Sequence, residues 1–235
     1  MQKYIDSHCH LPTNMSFEQA FEKANSVGIV GCVLNSVSES DWSRIIDISK
    51  HNKNVACCIG IHPWCIDSAT VNWMNNMDVI LQDNPHIMIG EVGLDKTRDN
   101  FVNQERIFTR SVELAIRYNR VLNLHCVHAW DSVLKILKMY KNNLPKIVVH
   151  AFDGTQNALD FDENLYFSYS PNAAKVNYKK IKLSLCKVPK NKILLESDSD
   201  DFLPVLTAAN AVLDARPDVS ADDIFNNTMG VFFNG

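Results

Sequence analysis

His8 and His10 stand two residues apart at the end of an apolar run, in the stretch YIDSHCHL. In an extended segment alternate residues share a face, so both imidazoles point one way and Cys9 points the other. Two imidazoles so placed can chelate one borderline divalent ion. Other ionisable residues recur directly after later apolar runs: His62, Glu91 with Asp95, His125, His150 and Asp198, while Asp6 precedes the first pair. In this reading Glu91 bridges two ions and His125 and His150 hold the second. Asp198 binds the first through one oxygen and orients a water with the other. Four neutral histidines and two carboxylates carry −2, so two divalent ions would leave about +2 at the site. That surplus favours an anionic substrate such as a phosphodiester. One histidine at a strand end is commonly a satisfied hydrogen-bonding residue. Six candidate ligands from five strand ends are much harder to dismiss.

Such residues converge only if the chain places every strand end at one mouth. Apolar, β-branched runs at 4–7, 29–34, 55–59, 87–90, 121–124, 147–149, 165–168 and 193–195 read as strands, several continuous enough for parallel strands covered on both faces. Between them the spacing predicts helices near 16–26, 39–50, 69–82, 101–118, 130–141, 155–162, 176–187 and 202–214. Ser38, Asp131 and Thr155 stand where N-caps would start three of them. A last helix, 220–233, is expected to pack on the outside. Alternation of this kind counts out as an α/β chain folded into a single (β/α)8 TIM barrel spanning 1–235, with its site at the C-terminal mouth. An open doubly wound sheet competes, but no glycine-rich phosphate loop follows the first strand.

Composition narrows the class. The chain has 235 residues, 46% hydrophobic and 21% charged, which is ordinary globular usage. The net charge of −4 argues against holding nucleic acid by bulk charge. Seven cysteines, odd in number and without a CxxC pair, suit a reducing compartment, so a cytoplasmic location is expected. No signal peptide and no membrane-spanning run is read, and no obligate protein partner is evident. Charge is uneven: the stretch 164–195 carries seven lysines and no acid, which reads either as a solvated helix face or as a phosphate-tracking edge. Trp64 and Trp130 follow the third and fifth strands, where they could stack bases or lid the core. Cys9 and Cys126 lie off the ligand-facing parity and read as packing residues.

At these residues the chain resembles the TatD family of metal-dependent hydrolases. The matching segments are IDSHCHL at 5–11, GIHPW at 60–64, IGEVGLD at 89–95, Gln104 with Phe108, NLHCVHA at 123–129, VVHAFDG at 148–154 and LLESD at 194–198, with Asn227 and Phe232 near the end. The resemblance implies a two-metal site with His8, His10, Glu91, His125, His150 and Asp198 as ligands, holding two divalent ions (zinc, manganese or magnesium). It implies a deoxyribonuclease with DNA as substrate, Asp198 and Glu91 catalytic, and His62 near the substrate phosphate. Asp6 and Asp95 match acidic positions that orient ligands, and Asp95 and His128 would also face the substrate. The sequence departs from the family pattern in three ways. Val127 stands where the family has an arginine, and His128, beside it, is a poorer phosphate clamp than a guanidinium. The run Glu196-Ser197-Asp198-Ser199-Asp200 lacks the family's proline and adds acids, and the loop after Glu91 is short. Hydrolysis of a small ester, amide or lactone, and a catalytically silent binding protein on the same barrel, are the competing readings.

Overall fold

The computed structural model describes residues 2–234 apart from 176 and 178. The chain alternates β1 (Tyr4–Cys9), α1 (Phe17–Ser26), β2 (Ile29–Asn35), α2 (Glu39–His51), β3 (Val55–Ile59), α3 (Trp73–Asp83), β4 (Met88–Asp95), α4 (Phe101–Tyr118) and β5 (Leu122–Val127). It continues with α5 (Trp130–Met139), β6 (Ile147–Val149), α6 (Gln156–Leu159), β7 (Leu165–Tyr169), α7 (Lys179–Leu185), β8 (Ile193–Leu195), α8 (Val205–Ala215) and α9 (Ala221–Phe232). The eight strands pair in sequence order, each parallel to the next. The architecture is the expected TIM barrel. Its last seam, between β8 and β1, is held at the mouth. Asp198 N donates to His8 O at 3.0 Å, His10 N to Ser199 O at 2.9 Å, and Ser197 N to the Asp6 carboxylate at 2.9 Å. The residues that close the barrel are therefore the neighbours of the candidate ligands.

The strands are buried on both faces, as their unbroken apolar runs require. Val33, Ala56, Cys58, Met88, Val148 and Leu194 fill the barrel interior, and the larger cluster lies between strands and helices. The last helix does not pack on the outside as expected. Val231 and Phe232 of α9 join the interior cluster and close the barrel end opposite the site. Asn227 donates to Ile193 O at 2.9 Å and Lys146 to Gly230 O at 2.7 Å, which fixes the plug. An amphipathic stripe shows that α9 needs a partner but not which face of the barrel provides it.

Several boundaries differ from expectation. The strands predicted at 87–90 and 121–124 run on, so Glu91, Asp95 and His125 lie within β4 and β5. The helix expected at 69–82 starts at Trp73, because Pro63–Ser68 forms a separate 3-10 turn. Ser38 caps α2 as predicted, but Asp131 sits inside α5, whose N-cap is Ala129. Thr155 precedes α6, which ends at Leu159 rather than 162. Positions 176 and 178 of the helix expected at 176–187 lie outside the described residues.

Candidate metal centre and its mouth

Glu91 is the hub. Fully buried on β4, it offers one oxygen to each half of a histidine cluster. Oε2 lies 3.3 Å from His8 Nε2 and 3.7 Å from His10 Nε2, while Asp198 Oδ1 stands 4.0 and 3.9 Å from the same two nitrogens. Oε1 lies 2.7 Å from His125 Nδ1, 2.9 Å from His150 Nε2 and 3.1 Å from His62 Nε2. The six residues expected as ligands thus converge, and they sort into two groups about the two carboxylate oxygens.

Hydrogen bonds decide which ring nitrogens have lone pairs to give. His8 Nδ1 lies 3.1 Å from Asn123 Oδ1, and His10 Nδ1 lies 3.1 Å from the main-chain oxygen of Asn35. An oxygen acceptor requires N–H on Nδ1, so both Nε2 atoms face Glu91 and Asp198 as free donors of electron pairs. Asn123 Nδ2 donates to Ser7 O, which fixes that amide's orientation. His62 is the opposite case. Its Nδ1 accepts from Trp64 N at 3.0 Å, so the neutral ring carries its proton on Nε2 and donates to Glu91. His62 is therefore a hydrogen-bond donor in the site rather than a metal ligand.

The donor set fits divalent metal. His8 Nε2, which faces Glu91 and Asp198, is buried without a hydrogen-bond partner. The spacings among Glu91 Oε1, His125 Nδ1 and His150 Nε2 are 2.7 to 3.0 Å. Donors sharing one ion at about 2.0–2.1 Å each stand roughly 3 Å apart. Thiolates contribute nothing. Burial pushes the Cys126 thiol up to about 12 and Cys57 to about 11, and raises Cys9 and Cys58 too.

Glycines let the backbones close on this cluster. A side chain at Gly60 would place its Cβ 2.6 Å from Glu91 O, and one at Gly93 would collide with the main-chain carbonyl of His125. Asp95, expected to orient a ligand and also to face the substrate, is buried. It accepts from Trp64 Nε1 at 2.7 Å and Thr97 Oγ1 at 2.6 Å, and its Oδ2 lies 3.7 Å from His125 Nε2. Its place is behind His125, where it can orient that ring. His128 stands exposed in a left-handed turn (φ 53°), and no hydrogen bond or ion pair joins it to the cluster. Asp200 is turned aside to accept from Thr13, and Asp201 accepts from Leu203 N. The added acids are thus engaged locally.

The lysine-rich stretch divides. Lys180 bonds Thr155 and pairs with Asp153 at 3.6 Å beside the loop after β6. Lys190 and Lys192 precede β8 at the far end of the barrel, where Lys190 faces Asp223 at 3.4 Å and Lys192 covers the Tyr166 ring. Trp130 is buried and donates to Asp153, so it lids the core, whereas Trp64 is exposed. Sequence reasoning missed Asn123, Asn35 and Glu196, a fully buried carboxylate 3.5 Å from His150 Nδ1 that accepts from Ala151 N. Strand parity carried two of them: Asn123 shares a face with His125, and Glu196 with Asp198.

Protonation follows from this packing. Burial alone would raise Glu91, but the surrounding imidazoles, His150 foremost, hold it well below the usual carboxylate range. Burial likewise pushes Asp198 up, and His10 and His150 outweigh it, bringing it to about 2. Burial lowers His150, yet Glu91 and Glu196 lift it well above 6.5. Burial pushes Asp6 up to about 8. His150 and Asp6 thus bind protons more tightly folded than unfolded. The His150 contribution to metal-free stability is complete below about 6.5 and is lost as pH rises through its raised pKa. Asp6 adds the same sign between 3.8 and about 8. Metal needs the imidazoles neutral, so protons compete with it. Thermal melts from mildly acidic to mildly alkaline pH should show the metal-free Tm falling and the metal-induced increment growing. An increment that shrinks with pH would contradict this protonation scheme.

Comparison with known proteins is consistent with the geometry. The family model described as TatD related DNase matches residues 5–216. The human protein named deoxyribonuclease TATDN3 is 28% identical over 220 residues, covering 85% of this chain and 79% of that protein. The Edwardsiella piscicida protein named 3'-5' ssDNA/RNA exonuclease TatD is 23% identical, covering 79% of this chain and 74% of its own length. Among solved structures, YJJV, a TatD homologue from Escherichia coli K12, superposes with a TM-score of 0.87 at 21% identity, over 98% of both chains.

Proposed function

The chain belongs to the TatD-related DNase family, a family of metal-dependent hydrolases, and from that premise we propose that it hydrolyses phosphodiester bonds in DNA at a centre of two divalent ions. The observation that carries this reading is the division of labour at Glu91, whose two oxygens face two separate sets of nitrogen donors. His8, His10 and Asp198 would hold one ion, His125 and His150 the other, and Glu91 both. Imidazole-rich ligation favours zinc or manganese over magnesium. Bound there, such ions would supply Lewis acidity toward a phosphoryl oxygen and lower the pKa of water.

The chain's own residues do the rest. Asp198 is ionised at working pH and 36% exposed at the mouth, so its carboxylate can take up a proton from the attacking water. His62 Nε2–H points into the centre and can donate to a phosphoryl oxygen that displaces its bond to Glu91. Asp95 and Asn123 keep His125 and His8 in ligating orientations. Relatives named for deoxyribonuclease and ssDNA/RNA exonuclease activity support a nucleic-acid substrate. On this reading the chain is one domain, 1–235. All seven cysteines are free thiols, which supports a cytoplasmic location. No helix among the described residues is long and apolar enough to cross a membrane.

A substrate panel tests the reading. Purified protein with manganese or zinc should cleave a single-stranded oligodeoxynucleotide and a bis-aryl phosphodiester, and a chelator should stop both. Turnover of an aryl ester with neither diester cleaved would overturn it.

A further inference from the structure

Val127 removes the arginine that the family pattern places beside the fifth-strand ligand, yet the mouth holds another guanidinium. Arg98, on the loop after β4, lies over the Trp64 indole with its central carbon 4.1 Å from the ring centroid. It forms no ion pair among the described residues. Even with that cover, Trp64 is 59% exposed, while Trp42, Trp73 and Trp130 are buried at 4%, 4% and 8%. The indole is also held still. Its Nε1–H donates to Asp95 at 2.7 Å, and its ring meets His62 edge-on at 5.2 Å. Asp95 in turn faces His125, and His62 faces Glu91, so the exposed ring has a set position relative to the metal donors.

We propose that Trp64 and Arg98 form a nucleotide subsite for single-stranded nucleic acid. Trp64 stacks a base next to the scissile phosphate, and Arg98 contacts backbone phosphate in place of the arginine absent at 127. The proposal rests on the nucleic-acid reading above and refines it toward unpaired strands, since a ring standing at the rim can stack only a base free of its duplex. An indole face accepts any base, which predicts weak sequence preference. A guanidinium without a carboxylate partner is free to take a phosphate oxygen.

The test uses metal-loaded protein and a short phosphorothioate oligothymidylate, which resists cleavage and so separates binding from turnover. Base stacking should quench tryptophan fluorescence, and Trp64→Phe should abolish most of the quench because the other three indoles are buried. By anisotropy of a labelled strand, Trp64→Ala should weaken binding about 5- to 140-fold, the equivalent of about 1–3 kcal/mol for one stacked base. Arg98→Gln should reduce the slope of log affinity against log salt by about 0.7, the value for one single-strand phosphate contact. Arg98→Lys should restore the slope but not the full affinity. In turnover, the ratio of kcat/KM for a single strand to that for a small phosphodiester should fall in both Arg98→Gln and Trp64→Phe, through KM. Strand binding with no change in any variant, or no strand binding at all, would overturn the subsite while leaving small-diester hydrolysis intact. Quenching without turnover of any diester would instead sink the nuclease reading and keep the subsite.

Discussion

Glu91→Gln should leave a folded barrel that has lost at least one metal equivalent per chain and at least about 100-fold in metal-dependent turnover. The carboxylate is nearly isosteric with the amide, so the packing around it survives. Its charge does not. Oε1 and Oε2 each face a separate set of imidazoles at 2.7 to 3.7 Å, and only an anion with two equivalent oxygens can serve both. The amide offers one weak oxygen donor, while its NH2 group points at nitrogens whose lone pairs the ions need. Weakening of the arrangement around a ligand already costs roughly 10–100-fold in metal affinity. Loss of a shared ligand should exceed that. The charge that holds His150 well above its usual range also disappears, so that ring should become neutral nearer pH 6.5. Metal analysis after dialysis, read beside the melting curve, checks both halves. Wild-type stoichiometry in the variant would mean that Glu91 is not the bridge.

The second large effect separates binding from proton transfer. Asp198→Asn should keep near-normal melting and at least one ion, yet lose roughly 10²–10⁴-fold in turnover, the usual cost of a missing general base. Asparagine suits the position well, because Asp198 has a φ of 52°, a left-handed conformation that Asn and Asp tolerate better than other side chains. The main-chain bond from its N–H to His8 O is untouched, so the seam between β8 and β1 stays closed. What goes is the ionised carboxylate that His10 and His150 hold at about 2. Rapid-quench measurement of the cleavage step at saturating metal isolates that loss. Cleavage at the wild-type rate would remove Asp198 from the chemistry even if the ions remain.

Much of this centre is legible in the sequence because strand ends are. A barrel brings the C-terminal ends of all its strands to one mouth, so His8, His10, Glu91, His125, His150 and Asp198 converge once the strands are counted. Finer features depend on side-chain partners across strands. His62 and His10 have the same side chain, yet one accepts from Trp64 N and the other donates to Asn35 O, and these partners, which set the free ring nitrogen, are visible only in the fold. The resemblance has Asp95 both orienting a ligand and facing the substrate, but β4 runs to Asp95 rather than ending at 90 and carries that carboxylate behind His125. Helix α9 shows the same limit in packing. Its stripe of Ile224, Thr228, Val231 and Phe232 demands a partner surface, and the open floor of the barrel provides it.

The most direct measurement is a titration of chelator-stripped protein with manganese or zinc, following cleavage of a single-stranded oligodeoxynucleotide and bound metal in the same samples. The account predicts negligible cleavage without metal and a rate that climbs until two equivalents per chain are bound, then levels. Full cleavage by the stripped protein, or a plateau at one equivalent, would contradict a centre in which Glu91 joins two ions.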